Sequence, residues 1–295
     1  MKIGVSSYSF SNYMRETGAD YLKICEIAKE MGFEGIEFID LDTKIQPADS
    51  VEALARTLRA HCDAIGLPIV AYTVHADFLD HPDEAARLRG QVDVAEILGA
   101  KVMRHDVTWR RDVPWREIIR RTAGEIRSVA EYAAGKGIRT CTENHGYVLQ
   151  DSHRVEELIL AVNHPNYGWL VDMGNFLCAD EPPIHALPIA APYAVHAHAK
   201  DFLLKRENPG EGWFPTRNGW FLRGTVLYRS GNAWRRCARA ATTAGSRWNS
   251  REWRRTFPRC AAGWPASRLP LPASESGRRL NMKFCRAALD GDGAV

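Results

Sequence analysis

The sequence predicts an α/β fold, a (β/α)8 TIM barrel that is incomplete at its eighth β/α unit. Over the first 200 residues, short apolar runs alternate with segments of helical periodicity, at about 30 residues per unit, which indicates a parallel sheet. Seven such runs without an internal linker favour a closed barrel over two separate domains. An open doubly wound sheet is the alternative, but no GxGxxG motif follows the first run.

Each element is predicted from its own pattern. The strands are β-branched or apolar runs: Lys2–Ser6, Gly35–Ile39, Pro68–Val74, Lys101–Asp106, Ile138–Glu143, Tyr167–Asp172 and Tyr193–Ala199. The helices carry apolar residues along one face: Asp20–Met31, Ser50–Ile65, Asp83–Leu98, Trp115–Ala134 and Ser152–Val162. A glycine stands where a helix should end and just before a strand, at positions 32, 66, 99 and 137.

The barrel pattern covers residues 1–226, and we expect residues 227–295 to form an aberrant Arg/Trp-rich tail, irregular or disordered. The tail holds 14 Lys and Arg against 4 Asp and Glu, whereas residues 1–226 hold 25 against 32. From Leu227 to Leu280 there are twelve arginines and no lysine. A GC-rich gene read out of frame gives this composition, which is the interpretation that we favour. A solvated disordered extension and a nucleic-acid arm are the alternatives.

Composition excludes several classes of protein. Hydrophobic residues make up 45% of the 295 residues and charged residues 25%, values typical of a globular protein and not of a disordered or coiled-coil one. No apolar run is long enough to span a bilayer and the start lacks a signal-peptide pattern, so we expect a soluble, cytoplasmic protein without a membrane partner. The seven cysteines form no CxxC pair and are expected to be reduced. The acidic balance of residues 1–226 opposes a nucleic-acid partner.

Titratable side chains cluster at the predicted strand ends, where parallel barrels carry their catalytic groups. Glu143, Asp172 and His198 end three consecutive strands, so their side chains can converge over the barrel mouth. One imidazole nitrogen and two carboxylates suit a divalent metal such as Mn, Mg, Co or Zn. His196 is an alternative to His198 as the nitrogen ligand, because alternate residues of a strand share a face. Each of these residues could instead have a purely structural role: Asp172 could cap the turn that follows its strand, and His198 could be a hydrogen-bonded histidine of the barrel interior.

Five segments carry a family resemblance, in the order IGVSSYSF, GFEGIEF, TENHG, LVDMGNF and HAHAKD. In them the chain resembles, over about residues 1–226, the xylose isomerase-like sugar phosphate isomerase/epimerase superfamily, which includes the AP endonuclease family 2-like TIM barrels. The resemblance implies a divalent metal held by two glutamates, an aspartate and a histidine. Glu143, Asp172 and His198 match three of these ligands. The resemblance also implies a small-molecule sugar substrate, and it leaves a homo-oligomer open.

The implied reaction is isomerisation or epimerisation of a small sugar or sugar derivative by proton transfer through an enediolate. Glu143 would be both a ligand and the catalytic base. Substrate contacts are expected from other residues at strand ends: Glu37, His75, His105, His145, Lys200 and Asp201. The fourth ligand and second base should be a glutamate of the eighth strand. Between Glu211 and Asp290 the only acidic residues are Glu252 and Glu275, both in the tail, so we expect turnover to be weak or absent.

Three other functions stay open. A polyol dehydratase of the inosose type would use the same metal site. A degenerate, non-catalytic barrel would leave the edges of its first and seventh strands exposed. An apurinic-site DNA endonuclease is disfavoured, because that family expects a histidine three residues after the sixth-strand aspartate, where this chain has Asn175.

Overall fold

The computed structural model describes residues 4–200 and 202, and the backbone of residues 204–205, 213–216, 219–222 and 284–287. Seven strands follow one another in parallel: β1 (Gly4–Ser6), β2 (Gly35–Ile39), β3 (Ile69–Val74), β4 (Val102–His105), β5 (Arg139–Glu143), β6 (Tyr167–Asp172) and β7 (Ala194–Ala199). All seven predicted strands are present, with bounds that differ from the prediction by at most two residues.

Seven α-helices accompany these strands: α1 (Ser11–Thr17), α2 (Tyr21–Glu30), α3 (Val51–Ile65), α4 (Glu84–Leu98), α5 (Trp115–Ala134), α6 (Ser152–Val162) and α7 (Pro183–Ala190). The five predicted helices correspond to α2–α6. Helix α3 shows why the prediction was accurate, since the Ser50 side chain accepts a hydrogen bond from the Ala53 amide and Gly66 ends the helix at φ +64°. Helices α1 and α7 were not predicted, because α1 is short and α7 contains Pro188.

The barrel closes in an unusual way at its eighth position. Strand β11 (Phe284–Ala287) lies between β1 and β7 and is antiparallel to both. The eighth parallel β/α unit is therefore missing from the described residues, as predicted, while β11 covers the two strand edges that were expected to be exposed. A separate antiparallel sheet consists of β8 (Leu204–Lys205), β9 (Trp213–Thr216) and β10 (Gly219–Leu222). The rest of the predicted tail lies outside the described residues.

The interior of the barrel has an apolar layer below a polar one. Ala71, Val102, Cys141 and Leu170 are buried and belong, with Val195, to one small apolar cluster. Two residues further along their strands stand Thr73, Arg104, Glu143 and Asp172, which share the same face because side chains alternate along a strand. A larger core lies between the strands and the helices. The apolar layer thus supports a polar layer at the mouth of the barrel.

The cysteines and the helices of the described residues can be compared with the expectations from composition. Cys25, Cys62, Cys141 and Cys178 carry free thiols, as predicted. Within the same part of the chain, we find no helix with the length and apolar character that crossing a bilayer would require.

Candidate metal centre

The structure brings Glu143, Asp172 and His198 together at the mouth. Their strands are neighbours in the sheet, and Asp172 lies directly opposite His198 in the β6–β7 register. The Nδ1 atom of His198 is 3.5 Å from Oε1 of Glu143 and 3.8 Å from Oδ2 of Asp172. All three residues are buried, and each offers a metal-ligand atom within 4.8 Å of the others. We call these three residues the donor group.

Asp172 is held in place through both its carboxylate and its backbone. Its Oδ1 accepts hydrogen bonds from the amides of Gly174 (3.0 Å) and Asn175 (3.1 Å), and its Oδ2 lies 3.0 Å from Nζ of Lys200. The side chain of Asn144 donates to the Asp172 carbonyl and accepts from the Asp172 amide, both at 2.9 Å. These contacts leave the carboxylate little freedom to rotate.

Glu143 is fixed by an amide on one oxygen and a cation near the other. Its Oε1 accepts a hydrogen bond of 3.0 Å from Nδ2 of Asn175, and its Oε2 lies 3.0 Å from Nη2 of Arg104. Arg104 is itself buried and also donates to Asp106. Burial alone would raise the pKa of Asp106, but the Arg104 guanidinium holds that pKa below its usual range. Arg104 therefore stabilises two buried negative charges at once.

A second group lies deeper in the barrel and shares His198 with the first. Oε2 of Glu37 lies 3.1 Å from Nε2 of His196 and 2.9 Å from Nε2 of His198. Burial alone would raise the pKa of Glu37, yet the two histidines outweigh it and hold that pKa well below its usual range. Glu37 was predicted to contact substrate, but the structure places its carboxylate inside the barrel with no solvent exposure.

Two other predicted contacts lie on the rim. His75 pairs through Nδ1 with Asp40, and 67% of the His75 side chain is exposed. The ring of Trp109 stands between His75 and His145, with centroids 6.2 Å and 5.1 Å away. A groove of about 600 Å³ runs beside His75 and Trp109. His145 reaches the donor group indirectly, through a contact of 3.2 Å between its Nδ1 and Arg104.

Of the remaining predicted contacts, Lys200 reaches the centre, whereas His105 does not. His105 follows the inward-facing Arg104 on β4 and lies on the opposite face of the strand, where its ring stacks on Tyr167. Its Nδ1 contacts the carbonyl of Asp106 at 2.8 Å, and burial lowers the pKa of His105 to about 4. Asp201 lies outside the described residues.

The site depends on three residues that the sequence did not single out as functional: Arg104, Asn144 and Asn175. A usable signal existed for Arg104, because a charged residue within an apolar strand must be paired when it is buried. No comparable signal marks the two asparagines, whose side chains bind backbone or carboxylate groups brought close only by the fold.

The chemistry of the donor group fits a divalent metal. One imidazole nitrogen and two carboxylate oxygens are the ligand types that Mn²⁺, Mg²⁺, Co²⁺ and Zn²⁺ accept. The implied fourth ligand has no counterpart on the closing strand, whose sequence Phe-Cys-Arg-Ala contains no acid. Glu252 and Glu275 lie outside the described residues.

Comparisons with known proteins agree with this architecture. The family model described as xylose isomerase-like TIM barrel matches residues 25–221. The uncharacterized protein YihM of Escherichia coli (strain K12) is 27% identical over 134 residues, which cover 45% of this chain and 40% of YihM. The chain therefore matches less than half the length of this curated relative.

Solved structures show the same fold at low identity. The probable 3-DHS dehydratase AsbF of Bacillus anthracis is 20% identical with a TM-score of 0.59, covering 77% of this chain and 86% of AsbF. D-Psicose 3-epimerase of Clostridium cellulolyticum H10 is 17% identical with a TM-score of 0.59, covering 83% and 82%. A Mycobacterium smegmatis barrel in complex with magnesium is 18% identical with a TM-score of 0.57, covering 77% and 78%. These similarities concern the fold.

Proposed function

The chain belongs to the xylose isomerase-like TIM barrel family, and on that premise we propose that it is a metal-dependent enzyme of small sugars. The proposed reaction is isomerisation or epimerisation of a sugar or sugar derivative, with the metal held by Glu143, Asp172 and His198. The observation that carries the proposal is the buried donor group at the barrel mouth, with its ligand atoms within 4.8 Å of one another. The magnesium complex of a similar barrel supports a divalent ion.

In this mechanism the metal, when bound, polarises a substrate carbonyl and so acidifies the neighbouring C–H bond. Glu143, the base that the resemblance implies, would remove that proton with its buried carboxylate. The Arg104 guanidinium, 3.0 Å from Oε2, keeps Glu143 oriented and stabilises its charged form. Lys200 supplies an ammonium group beside Asp172 that can donate to a substrate oxygen.

The first experiment titrates metal-stripped protein with Mn²⁺ by calorimetry. We expect micromolar or tighter binding by the wild type and at least a tenfold loss in Glu143→Gln, because the substitution removes one of the two carboxylate charges among the three ligands. Glu131→Gln is the matched control, since Glu131 is an exposed residue of α5 outside the donor group and its variant should bind as the wild type does. Equal affinity in Glu143→Gln would place the metal elsewhere.

The reaction is tested in D₂O with Mn²⁺ and a panel of ketohexoses, followed by NMR. Epimerisation needs a second acid–base group on the opposite face of the substrate, and the eighth-strand glutamate that the resemblance implies for this role has no counterpart on β11. We therefore expect deuterium to enter the carbon beside the carbonyl with retained configuration, and little epimer to form. Absence of exchange with every sugar, in protein that binds Mn²⁺, would contradict the proposal.

A polyol dehydratase is the second candidate. Elimination of water needs one base beside a carbonyl and one acid at the departing hydroxyl. Glu143 and Lys200, which both lie beside Asp172, offer such a pair. The similarity in fold to a probable dehydratase is in keeping with this candidate. Formation of an enone, seen as new ultraviolet absorbance with a cyclic polyol ketone, would favour it over the isomerase.

A further inference from the structure

Glu37 is a buried anion whose two oxygens face different partners. Oε1 accepts hydrogen bonds from Ser6 Oγ (3.3 Å) and Thr73 Oγ1 (3.2 Å). Oε2 faces Nε2 of His196 and Nε2 of His198, at 3.1 and 2.9 Å. The side chains of Glu37 and both histidines have no solvent exposure. Each carboxylate oxygen thus has two hydrogen-bonding partners inside the barrel.

His198 connects this buried anion to the donor group. The Nε2 edge of its ring faces Glu37, while Nδ1 faces Glu143 at 3.5 Å and Asp172 at 3.8 Å. A neutral imidazole carries hydrogen on one nitrogen and a lone pair on the other. When Nε2–H donates to Glu37, the lone pair lies on Nδ1, on the side of the two carboxylates.

We propose that Glu37 is a positioning residue for the metal centre, which sets the tautomer and ring orientation of His198. The inference rests on the proposed metal site and adds a residue to it. A carboxylate behind a ligating histidine fixes the ring and raises its basicity, and loss of such a partner typically costs about 10- to 100-fold in metal affinity.

Glu37, His196 and His198 also form a group of potential metal ligands by themselves. The geometry favours hydrogen bonding there, because both contacts to Oε2 have the lengths of ordinary N–H···O bonds. An ion bound at Oε2 would have to displace both. If the ion binds at the donor group, Glu143→Gln should weaken Mn²⁺ binding. If the ion binds at Glu37, His196 and His198, Glu143→Gln should bind Mn²⁺ normally, so the experiment separates the two arrangements.

The first readout is the tautomer of His198 in the metal-free protein, from ¹⁵N NMR of the imidazoles, with His198→Gln used for assignment. We expect the wild type to be in the Nε2–H form. Glu37→Met, which keeps the side-chain length but removes the acceptor, should shift His198 toward Nδ1–H. Thr73→Val is the matched control, because it removes a neighbouring contact of Glu37 and should leave the tautomer unchanged. If Glu37→Met does not fold, as judged by circular dichroism, Glu37→Leu, which also lacks an acceptor, is measured in its place.

The second readout is Mn²⁺ affinity by calorimetry in the same proteins. We expect binding about 10- to 100-fold weaker in the Glu37 variant and unchanged in Thr73→Val. An unchanged tautomer in a folded Glu37 variant overturns the inference, as does an unchanged affinity. It is also overturned if the Glu37 variant abolishes binding while Glu143→Gln binds normally, since the ion would then lie in the inner group. Wild-type protein that binds no Mn²⁺ would refute the proposed function, while the tautomer would still decide the role of Glu37.

Discussion

Two of the histidine–carboxylate contacts in this barrel, one on the rim and one in the interior, differ in burial. On the rim, His75 pairs with Asp40 between the ends of β2 and β3, with side chains 67% and 38% exposed. In the interior, His198 and Glu37 form a similar contact with no exposure. Water screens the first pair, whereas the second pair must satisfy its polar atoms within the protein. The same residue types therefore contribute little on the rim and hold the centre together inside.

The largest expected effect compares the two carboxylates directly. Glu37→Ala should lower the free energy of unfolding by about 3–5 kcal/mol, because it leaves two buried histidines without their shared acceptor. Asp40→Asn, on the rim, should cost less than about 1 kcal/mol. Denaturant unfolding of both variants measures the difference. Similar losses in the two proteins would show that burial does not separate the two regions.

A second prediction concerns His105, which is buried in the helix layer. Its folded-state pKa of about 4 lies below the ordinary value of 6.5, so the unfolded chain binds the proton first as the pH falls. The stability that comes from keeping His105 neutral is present above pH 6.5 and is lost between pH 6.5 and 4. His105→Gln has no such group, and the wild type should lose about 3 kcal/mol relative to it over this range. If the free energies of unfolding of the wild type and His105→Gln change equally with pH over this range, the lowered pKa of His105 would be contradicted.

The smallest effect is expected at His75. Asp40 raises the pKa of His75, so the pairing contributes fully below the ordinary histidine pKa and is lost as the pH rises through the raised value. Because the pair is exposed, the contribution should stay below about 1 kcal/mol. Thermal unfolding of the wild type and His75→Gln at pH 5.5 and pH 9 measures it. The prediction is contradicted if the stability that His75→Gln loses relative to the wild type is larger at pH 9 than at pH 5.5.

Local signals made most of the barrel predictable. Strand bounds followed from short apolar runs, and the helix ends followed from capping residues such as Ser50 and from glycines at positive φ such as Gly66. The donor group followed from strand-end chemistry, because parallel strands place their carboxyl ends at one edge. Strand β11 could not be predicted, since it pairs with β1 and β7 from a position far along the chain.

The predicted and observed positions of the site residues differ in depth and in the strand face that they occupy. Glu37 is in the middle of β2, below the mouth, while Asp40 directly follows Ile39, the last residue of the strand. His105 and Arg104 are neighbours in sequence, and only one of them can face the interior. Both side chains are buried, and the contact of the Arg104 guanidinium with Glu143 identifies Arg104 as the one that faces the interior. The positions of the strand ends alone do not tell how deep a side chain lies or which face of the strand it occupies.

The separation of the contacts along the chain has a consequence for folding. Glu143, Asp172 and His198 lie on three consecutive strands, so the donor group can assemble from short-range contacts. The contact between His198 and Glu37 spans 161 residues and requires β2 to dock across the interior. Closing the longer loop costs more chain entropy, and we expect it to form later. A partly folded barrel would thus assemble the donor group before the imidazole of His198 meets Glu37.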